Sequence, residues 1–454
     1  MHADLVICGA GIAGISTAYH LSVRYGFRNI FLVDERPPLT LTSDKSTECY
    51  RNWWPGPGNA MVALMNRSID LMENLATDTG NFFHLNRRGY LFVTANPEAI
   101  PKMEASAKQI SQLGAGPLRI HTGQPGDPEY LPPAVEGFAS QPTGADLLLD
   151  TKLIHEYFPY LTCQAEAALH VRRAGWFSAQ QMGMFLLEQA QNYGVKLLRA
   201  RISGIEKSKN RITGVRLADG ETIQTNCLVN AAGPMLKEIG RLLDVYLPVF
   251  CEPHEKVSFP DTERIIDRGA PLLIWSDAQS LDWSEEEKGI LGKDSEFTWL
   301  LGELPAGVHI RPEGGLSSPM TLMLWEYYAK QSQPVWPMLS DPQYPEIVLR
   351  GLIKMLPGLS AYLGKTPRPR VDGGYYTKTK DNRPIIGKLP LEGSYVLGAL
   401  SGFGMMAACA AGELLAAYIV NDQLPNFAPA FSMERFSDPN YLKLLESWEV
   451  TWQL

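Results

Sequence analysis

Residues 4–8 (DLVIC) are a short apolar run that stops at Gly9, and the glycine-rich stretch GAGIAG, Gly9 to Gly14, follows at once. An uninterrupted apolar run of this length marks a strand buried on both faces of a parallel sheet. Ile15, Ala18 and Tyr19 then recur at helical spacing, and Ile30 to Val33 form a second buried run closed by Asp34. Strand, glycine turn, helix and strand together fill the ~30 residues of a βαβ unit. The three glycines have separate steric tasks. Gly9 permits the tight turn out of the strand, Gly11 lets a pyrophosphate approach the backbone, and Gly14 lets the helix pack on the sheet. The start of the helix, at Ile12 and Ala13, offers unpaired N–H groups and a positive dipole end to phosphates. Asp34 stands about 20 residues after Gly14, where an acid binds a ribose hydroxyl, and Glu35 beside it shares or takes that role. A glycine turn without a ligand is the alternative, and it leaves the acid at this spacing without a purpose.

The same mode of chain returns twice. Met182, Phe185, Leu186 and Ala190 predict a helix over 180–193 with Gly194 as its C-cap. Strands are predicted at 195–198, 202–205 and 212–217, and Asp219-Gly220 is a hairpin turn signal. The run 227–230 ends in Ala231-Ala232-Gly233, with Pro234 placed at a helix start. The third return lies at 383–420. Residues 96–150 and 255–365 differ in kind, being rich in Pro, Gly and acidic loops, and read as a second domain inserted twice into the first.

Composition closes off other classes. The net charge is −8 without a basic tract, so a nucleic-acid partner is not expected. The six cysteines are scattered without a CxxC pair, which reads as buried thiols in a reducing compartment, the cytoplasm, with no metal cluster. The N-terminus lacks a basic n-region, and no signal peptide is expected. Residues 396–420 are apolar enough to mimic a membrane span, but their glycines, Ser401 and Glu413 predict a buried helix, so no integral membrane segment is expected.

That last segment also discriminates between dinucleotides. Ser401-Gly402-Phe403-Gly404-Met405-Met406 opens a long helix after a strand. A nicotinamide domain needs no second anion-friendly helix start at its far end. A flavin does, because negative charge builds at one edge of its ring on reduction, where backbone N–H groups stabilise it.

With these motifs in hand, the chain resembles the FAD-dependent amine and amino-acid oxidoreductases of the D-amino-acid oxidase type, over nearly its whole length. The resemblance rests on GAGIAG with Asp34, TSDKSTECYRNWW (42–54), RRGYLFV (87–93), the segment 227–234, GGYYTKTKDNRPIIG (373–387) and SGFGMMAACAAGELL (401–415). Within the family it is most similar to the branch of the sarcosine oxidase β-subunit and dimethylglycine dehydrogenase. It implies an α/β fold, a Rossmann-type FAD-binding domain (1–88, 172–246 and 370–454) interleaved with an α+β substrate domain (89–171 and 247–369) on a mostly antiparallel sheet. It further implies that Lys45, Ser46 and Thr47 wrap the flavin and pyrophosphate, and that Ile202 touches the adenine. Ala232 and Gly233 would lie near the pyrophosphate, Pro384 toward the dimethylbenzene side, and Gly402, Phe403, Gly404, Met405 and Met406 at the pyrimidine edge.

The implied reaction is oxidation of a C–N bond of a secondary amine or amino acid by hydride transfer to flavin N5, giving an imine that hydrolyses, with oxygen or an electron carrier as acceptor. Covalent relatives use a Cys where Gly374 stands or a His in the second loop, so the FAD is expected to be non-covalent. A substrate-binding Lys of some sarcosine oxidases is replaced by Met406, and an Arg of glycine oxidases by Tyr376. Arg51 is the cation that remains; it either binds a substrate carboxylate or pairs with an acid such as Glu48. Tyr376 closes the substrate cavity or packs in a core. His254 accepts the amine proton or is structural. Lys256 polarises oxygen or is solvated. His309 and Arg311 border a hairpin into the cavity, where Arg311 is a second carboxylate ligand. Trp53 and Trp54 wall the site or fill core. Two other readings stay open: a 2-hydroxy-acid oxidoreductase of the same fold, or the flavin-carrying subunit of a larger complex, as a homo- or hetero-oligomer.

Overall fold

The computed structural model describes residues 1–328, 330–365 and 367–447. The predicted βαβ unit lies at the centre of a six-stranded sheet ordered Ile385–Lys388, Ser394–Gly398, Leu228–Asn230, Leu5–Cys8, Ile30–Asp34, Lys196–Arg199. All neighbours are parallel except Ile385–Lys388, which returns antiparallel on Ser394–Gly398. The central strands are buried on both faces, so each face must be covered. Leu5, Ile7, Ile30 and Leu32 face the helices Ile12–Tyr19, Ala60–Asp78, Ala179–Asn192 and Gly404–Val420. Val6, Cys8, Phe31 and Val33 face the meander Ile202–Ser208, Arg211–Leu217, Thr222–Gln224 and the short helix Leu236–Leu242. Gly220 takes φ +92° in the turn between the last two meander strands, as the Asp-Gly signal requires.

Helix Gly404–Val420 is buried through most of its length and lies against helix Ile12–Tyr19. Contact is close because the facing residues are small: a Cβ on Gly412 would collide with the Ser16 hydroxyl, and Ser16 Oγ donates to the Ala408 carbonyl at 2.7 Å. Glu413, the one acid in the helix, reaches the surface and accepts from Arg67 Nε at 2.7 Å and Nη2 at 2.6 Å. No described helix is long and apolar enough to cross a membrane.

The second unit is built on a nine-stranded sheet ordered Arg370–Thr379, Val249–Pro260, Met320–Leu324, His309–Pro312, Leu272–Trp275, Tyr90–Thr94, Ala167–Val171, Ala145–Leu148, Leu118–His121. Six of its pairings are antiparallel, and two, Leu272–Trp275 on Tyr90–Thr94 and Leu118–His121 on Ala145–Leu148, are parallel. Helix Tyr344–Ile353 covers it through Ile347, Val348 and Leu352. Strand Arg370–Thr379, at the start of the segment expected in the FAD-binding unit, pairs antiparallel with Val249–Pro260 from Thr379↔Val249 to Arg370↔Ser258 and so lies in this sheet. The last stretch of that expected segment, 448–454, lies outside the described residues, as do 329 and 366 within the expected 247–369.

Replacing Gly412 by Val should drive the two buried helices apart. Overpacking at such a contact destabilises by ~1–3 kcal/mol, to be read as a lowered denaturant midpoint with unchanged slope.

Candidate active site

Gly9 leaves its strand at φ +108°, and a Cβ there would collide with the Ala231 carbonyl oxygen on the neighbouring strand. The glycine turn is braced by Asp34, whose Oδ2 accepts the Ala10 N–H at 2.8 Å and whose Oδ1 accepts the Arg36 N–H at 2.9 Å. Helix Ile12–Tyr19 begins behind Gly11 with no side-chain cap from that residue; Ser43 Oγ, from the loop after the second strand, accepts the Ile12 N–H at 3.1 Å. Helix Gly404–Val420 likewise begins without a side-chain cap from Phe403. Both starts open on one cavity of about 370 Å³.

That cavity runs from Glu35 and Ile202 past Gly9, Gly11, Ile12, Ala13, Ala232 and Gly233 to Tyr376, Gly402, Gly404 and Met405, and Asp34 and Ser46 also line it. A glycine cradle, two helix N-terminal ends and an acid at the end of the second strand fit an elongated dinucleotide with a diphosphate at its middle. Gly14, Lys45, Thr47, Pro384, Phe403 and Met406 were expected at the cofactor and do not line the cavity. Gly14 serves packing, since a Cβ there would collide with the Gly9 carbonyl oxygen. Met406 and Phe403 point into the helix core.

Lys45 and Thr47 act through the loop they belong to. Thr42 Oγ1 donates to the Tyr375 carbonyl at 2.8 Å, and Lys45 Nζ pairs with Asp44 at 2.7 Å and Asp372 at 3.0 Å. Lys256 Nζ donates to the Ser46 carbonyl at 2.7 Å. Arg311 donates through Nη2 and Nε to the Thr47 carbonyl at 2.8 and 3.2 Å, through Nη1 to the Pro312 carbonyl at 2.9 Å, and pairs with Glu313 at 2.6 Å. Arg311 and Lys256 thus each donate to a backbone carbonyl of the 42–48 loop and anchor it.

Arg51 sits on strand Cys49–Arg51, paired with Ala174–Trp176, and is buried. Its guanidinium lies over the Trp54 ring at 4.5 Å and the Tyr90 ring at 5.6 Å. Burial pushes its pKa down from the usual arginine value. Trp54 in turn meets Phe403 edge to face at 5.0 Å, which ties this aromatic enclosure to the start of the second helix. The acid named as its alternative partner, Glu48, instead stands 3.9 Å from Arg311.

His254 stacks on Tyr376 at 3.9 Å with 18° between the rings. Gly402 lies on the Tyr376 ring too, where a Cβ would come within 2.6 Å of it. His254 Nδ1 is 3.0 Å from Glu326 and Nε2 is 3.6 Å from Glu252, which also takes Lys378 at 2.6 Å. Burial opposes the charged imidazole, but the two carboxylates outweigh it and hold the His254 pKa above its ordinary value. The two acids on one side and the Tyr376 ring on the other fix the position of His254, which fits its structural alternative. His309 is the neutral histidine here: burial lowers its pKa to about 4, and Nδ1 bonds the Gly307 carbonyl at 2.8 Å.

Residues 4–418 match the family of FAD dependent oxidoreductases known as DAO. The chain belongs to that family. Dimethylglycine dehydrogenase of Rattus norvegicus mitochondria is 24% identical over 276 residues, 60% of this chain and 28% of the relative, so the chain matches less than a third of that protein's length. The sarcosine oxidase subunit beta of Arthrobacter sp is 20% identical over 434 residues, covering 95% of this chain and 91% of the subunit. Among solved structures, L-proline dehydrogenase from P. horikoshii superposes with a TM-score of 0.73 at 20% identity over 96% of this chain and 98% of that one, which is a likeness of fold.

For a flavoprotein of this family, the sequence reading missed Ser43, Arg36 and Thr377 in the cavity wall and Glu326 beside His254. Ser43 carried a signal in the hydroxyl residues Thr40, Thr42 and Ser43 after the second strand. Glu326 had none, because only the pairing of distant strands places it.

Two outcomes are expected. Gly9→Ala, strained at positive φ and blocked by Ala231, should purify without FAD, checked by the ratio of flavin to protein absorbance. The raised His254 pKa stabilises the fold fully below the unfolded histidine value of about 6.5 and is lost as pH rises through the folded value. His254→Gln should therefore flatten the fall of Tm on the alkaline side of that window, measured by thermal melts across pH.

Proposed function

We propose that this protein oxidises the C–N bond of a secondary amine or amino acid bearing a carboxylate. The observation that carries this reading is Arg51: a buried cation enclosed by Trp54 and Tyr90, with Trp54 packed on Phe403 at the start of the second helix. The planar fork of a guanidinium matches a carboxylate bidentately. The names of related and similarly folded proteins agree with this chemistry, among them sarcosine dehydrogenase, glycine oxidase and iminodiacetate oxidase.

FAD, when bound, supplies the hydride acceptor. The chain's part is to place the substrate. Arg51 orients the carboxylate, and Tyr376, locked between His254 and Gly402, forms a wall that limits the amine's approach and excludes water. The uncapped start of helix Gly404–Val420 stabilises negative charge near Gly402 and Gly404. Ribose contact falls to Asp34 and Glu35, of which Glu35 is the freer because both Asp34 oxygens already accept backbone N–H groups. Gly374, packed 3.1 Å from the Lys45 side chain at its would-be Cβ, has no nucleophile to offer, in keeping with a non-covalent cofactor. The product imine hydrolyses, and oxygen or an electron carrier takes the electrons. Six unpaired cysteines accord with a reducing compartment such as the cytoplasm.

A second reading is favoured by the near end-to-end match with a sarcosine oxidase subunit: the chain as the flavin-carrying subunit of a larger complex. Anaerobic mixing of the purified lone chain with N-methyl amino acids, amino acids and 2-hydroxy acids separates the readings. Bleaching by amines alone supports the proposal; bleaching only by hydroxy acids, or none without a partner, overturns it. Arg51→Met should weaken the binding of carboxylate-bearing amines by about one to two orders of magnitude and leave carboxylate-free amines unchanged, read from the concentration dependence of bleaching.

A further inference from the structure

Residues 332–341 cross the edge of the nine-stranded sheet as a strap without regular structure. Its N-terminal end is fixed by the Ser332 N–H donating to the Cys251 carbonyl at 2.9 Å. Just past its other end, the Tyr344 hydroxyl donates to the Glu255 carbonyl at 2.7 Å. Between these anchors Met338 fills the space over Gly373, where any Cβ would collide with it. Trp336 packs edge to face on Tyr375 at 5.3 Å and 70°. On its other side, the Arg36 guanidinium lies 5.0 Å from the Trp336 ring centroid.

These two neighbours come from different units. Tyr375 is on strand Arg370–Thr379 of the nine-stranded sheet, whereas Arg36 follows strand Ile30–Asp34 of the six-stranded one. Both line the cavity, on the side of Asp34 and Glu35, and Trp336 itself does not. The indole face carries negative charge density that attracts a guanidinium, and the planar guanidinium stacks on it in a fixed orientation. Arg36 is a cation facing the space a diphosphate-linked dinucleotide would fill, and its direction is set by a residue about 300 positions away in the chain.

We infer that Trp336 is a positioning residue for the bound dinucleotide, holding Arg36 and Tyr375 as one wall of the cavity across the junction of the two units. Loosening that wall speeds the loss of FAD, so Trp336 contributes to cofactor retention. This rests on flavin occupying the cavity, which the flavin content of the wild-type protein reports independently.

The test is the rate of FAD release from the full-length holoprotein, followed by the gain of flavin fluorescence on high dilution. Trp336→Ala should release FAD about tenfold faster. Trp336→Leu, which keeps apolar bulk on Tyr375 but offers no face to a cation, should do the same, and Trp336→Phe should stay within about threefold of wild type. Leu339→Ala, exposed on the same strap, should change nothing. Combined with Arg36→Met, the loss from Trp336→Ala should be less than additive, because both substitutions remove one contact. Wild-type retention by Trp336→Leu, or full additivity with Arg36→Met, would overturn the inference.

Discussion

The site depends on the contact between two helices that begin about 390 residues apart. Helix Ile12–Tyr19 and helix Gly404–Val420 approach closely because Gly412 presents no side chain to Ser16 and the Ser16 hydroxyl is absorbed by the Ala408 carbonyl. With both helices lying on the same sheet, their N-terminal ends open on one cavity. Neither end is capped by its own preceding side chain, although Ser43 accepts the Ile12 N–H, and the dipole end of each faces the cavity. A bulkier residue at the crossing would separate the two ends, and the cavity would lose the geometry that a diphosphate and a reduced flavin require.

Around that cavity, buried cations are used mainly as fasteners. Lys256 and Arg311, both from the nine-stranded sheet, point at carbonyl oxygens of the loop 42–48. A buried cation needs partners to offset desolvation, and carbonyls of a loop that would otherwise be loose serve both ends. His254 is held in the same way by Glu326 and Glu252, and its ring fixes Tyr376 over Gly402. The Arg51 guanidinium, in turn, is enclosed by the aromatic faces of Trp54 and Tyr90. Trp336 adds a contact in which a residue of the second unit packs on a cation of the first.

Much of the nucleotide-binding unit was legible in the sequence because its signals are local. The strand before Gly9, the positive φ at Gly9, the acid at Asp34, the Asp219-Gly220 turn and the cap at Gly194 each depend on neighbours within a few residues. Roles that depend on strand pairing were not legible in this way. Arg370–Thr379, with its paired glycines and tyrosines, carries no periodicity that assigns it, and its ten-residue pairing with Val249–Pro260 places it in the nine-stranded sheet. Arg311 and His254 looked alike as polar residues on strands of the second unit, yet one ends on the Thr47 carbonyl and the other between two carboxylates.

By itself, then, the amino-acid order determined a parallel α/β unit, the place where phosphates meet it and the class of cofactor, since glycine spacing, apolar runs and helix starts act over short stretches of chain. Tertiary structure decided which charged side chains face the cavity and which brace its walls. The reason is that burial and pairing set what a buried charge does, and both come from residues hundreds of positions away: Thr47 for Arg311, Ser46 for Lys256, Trp336 for Arg36.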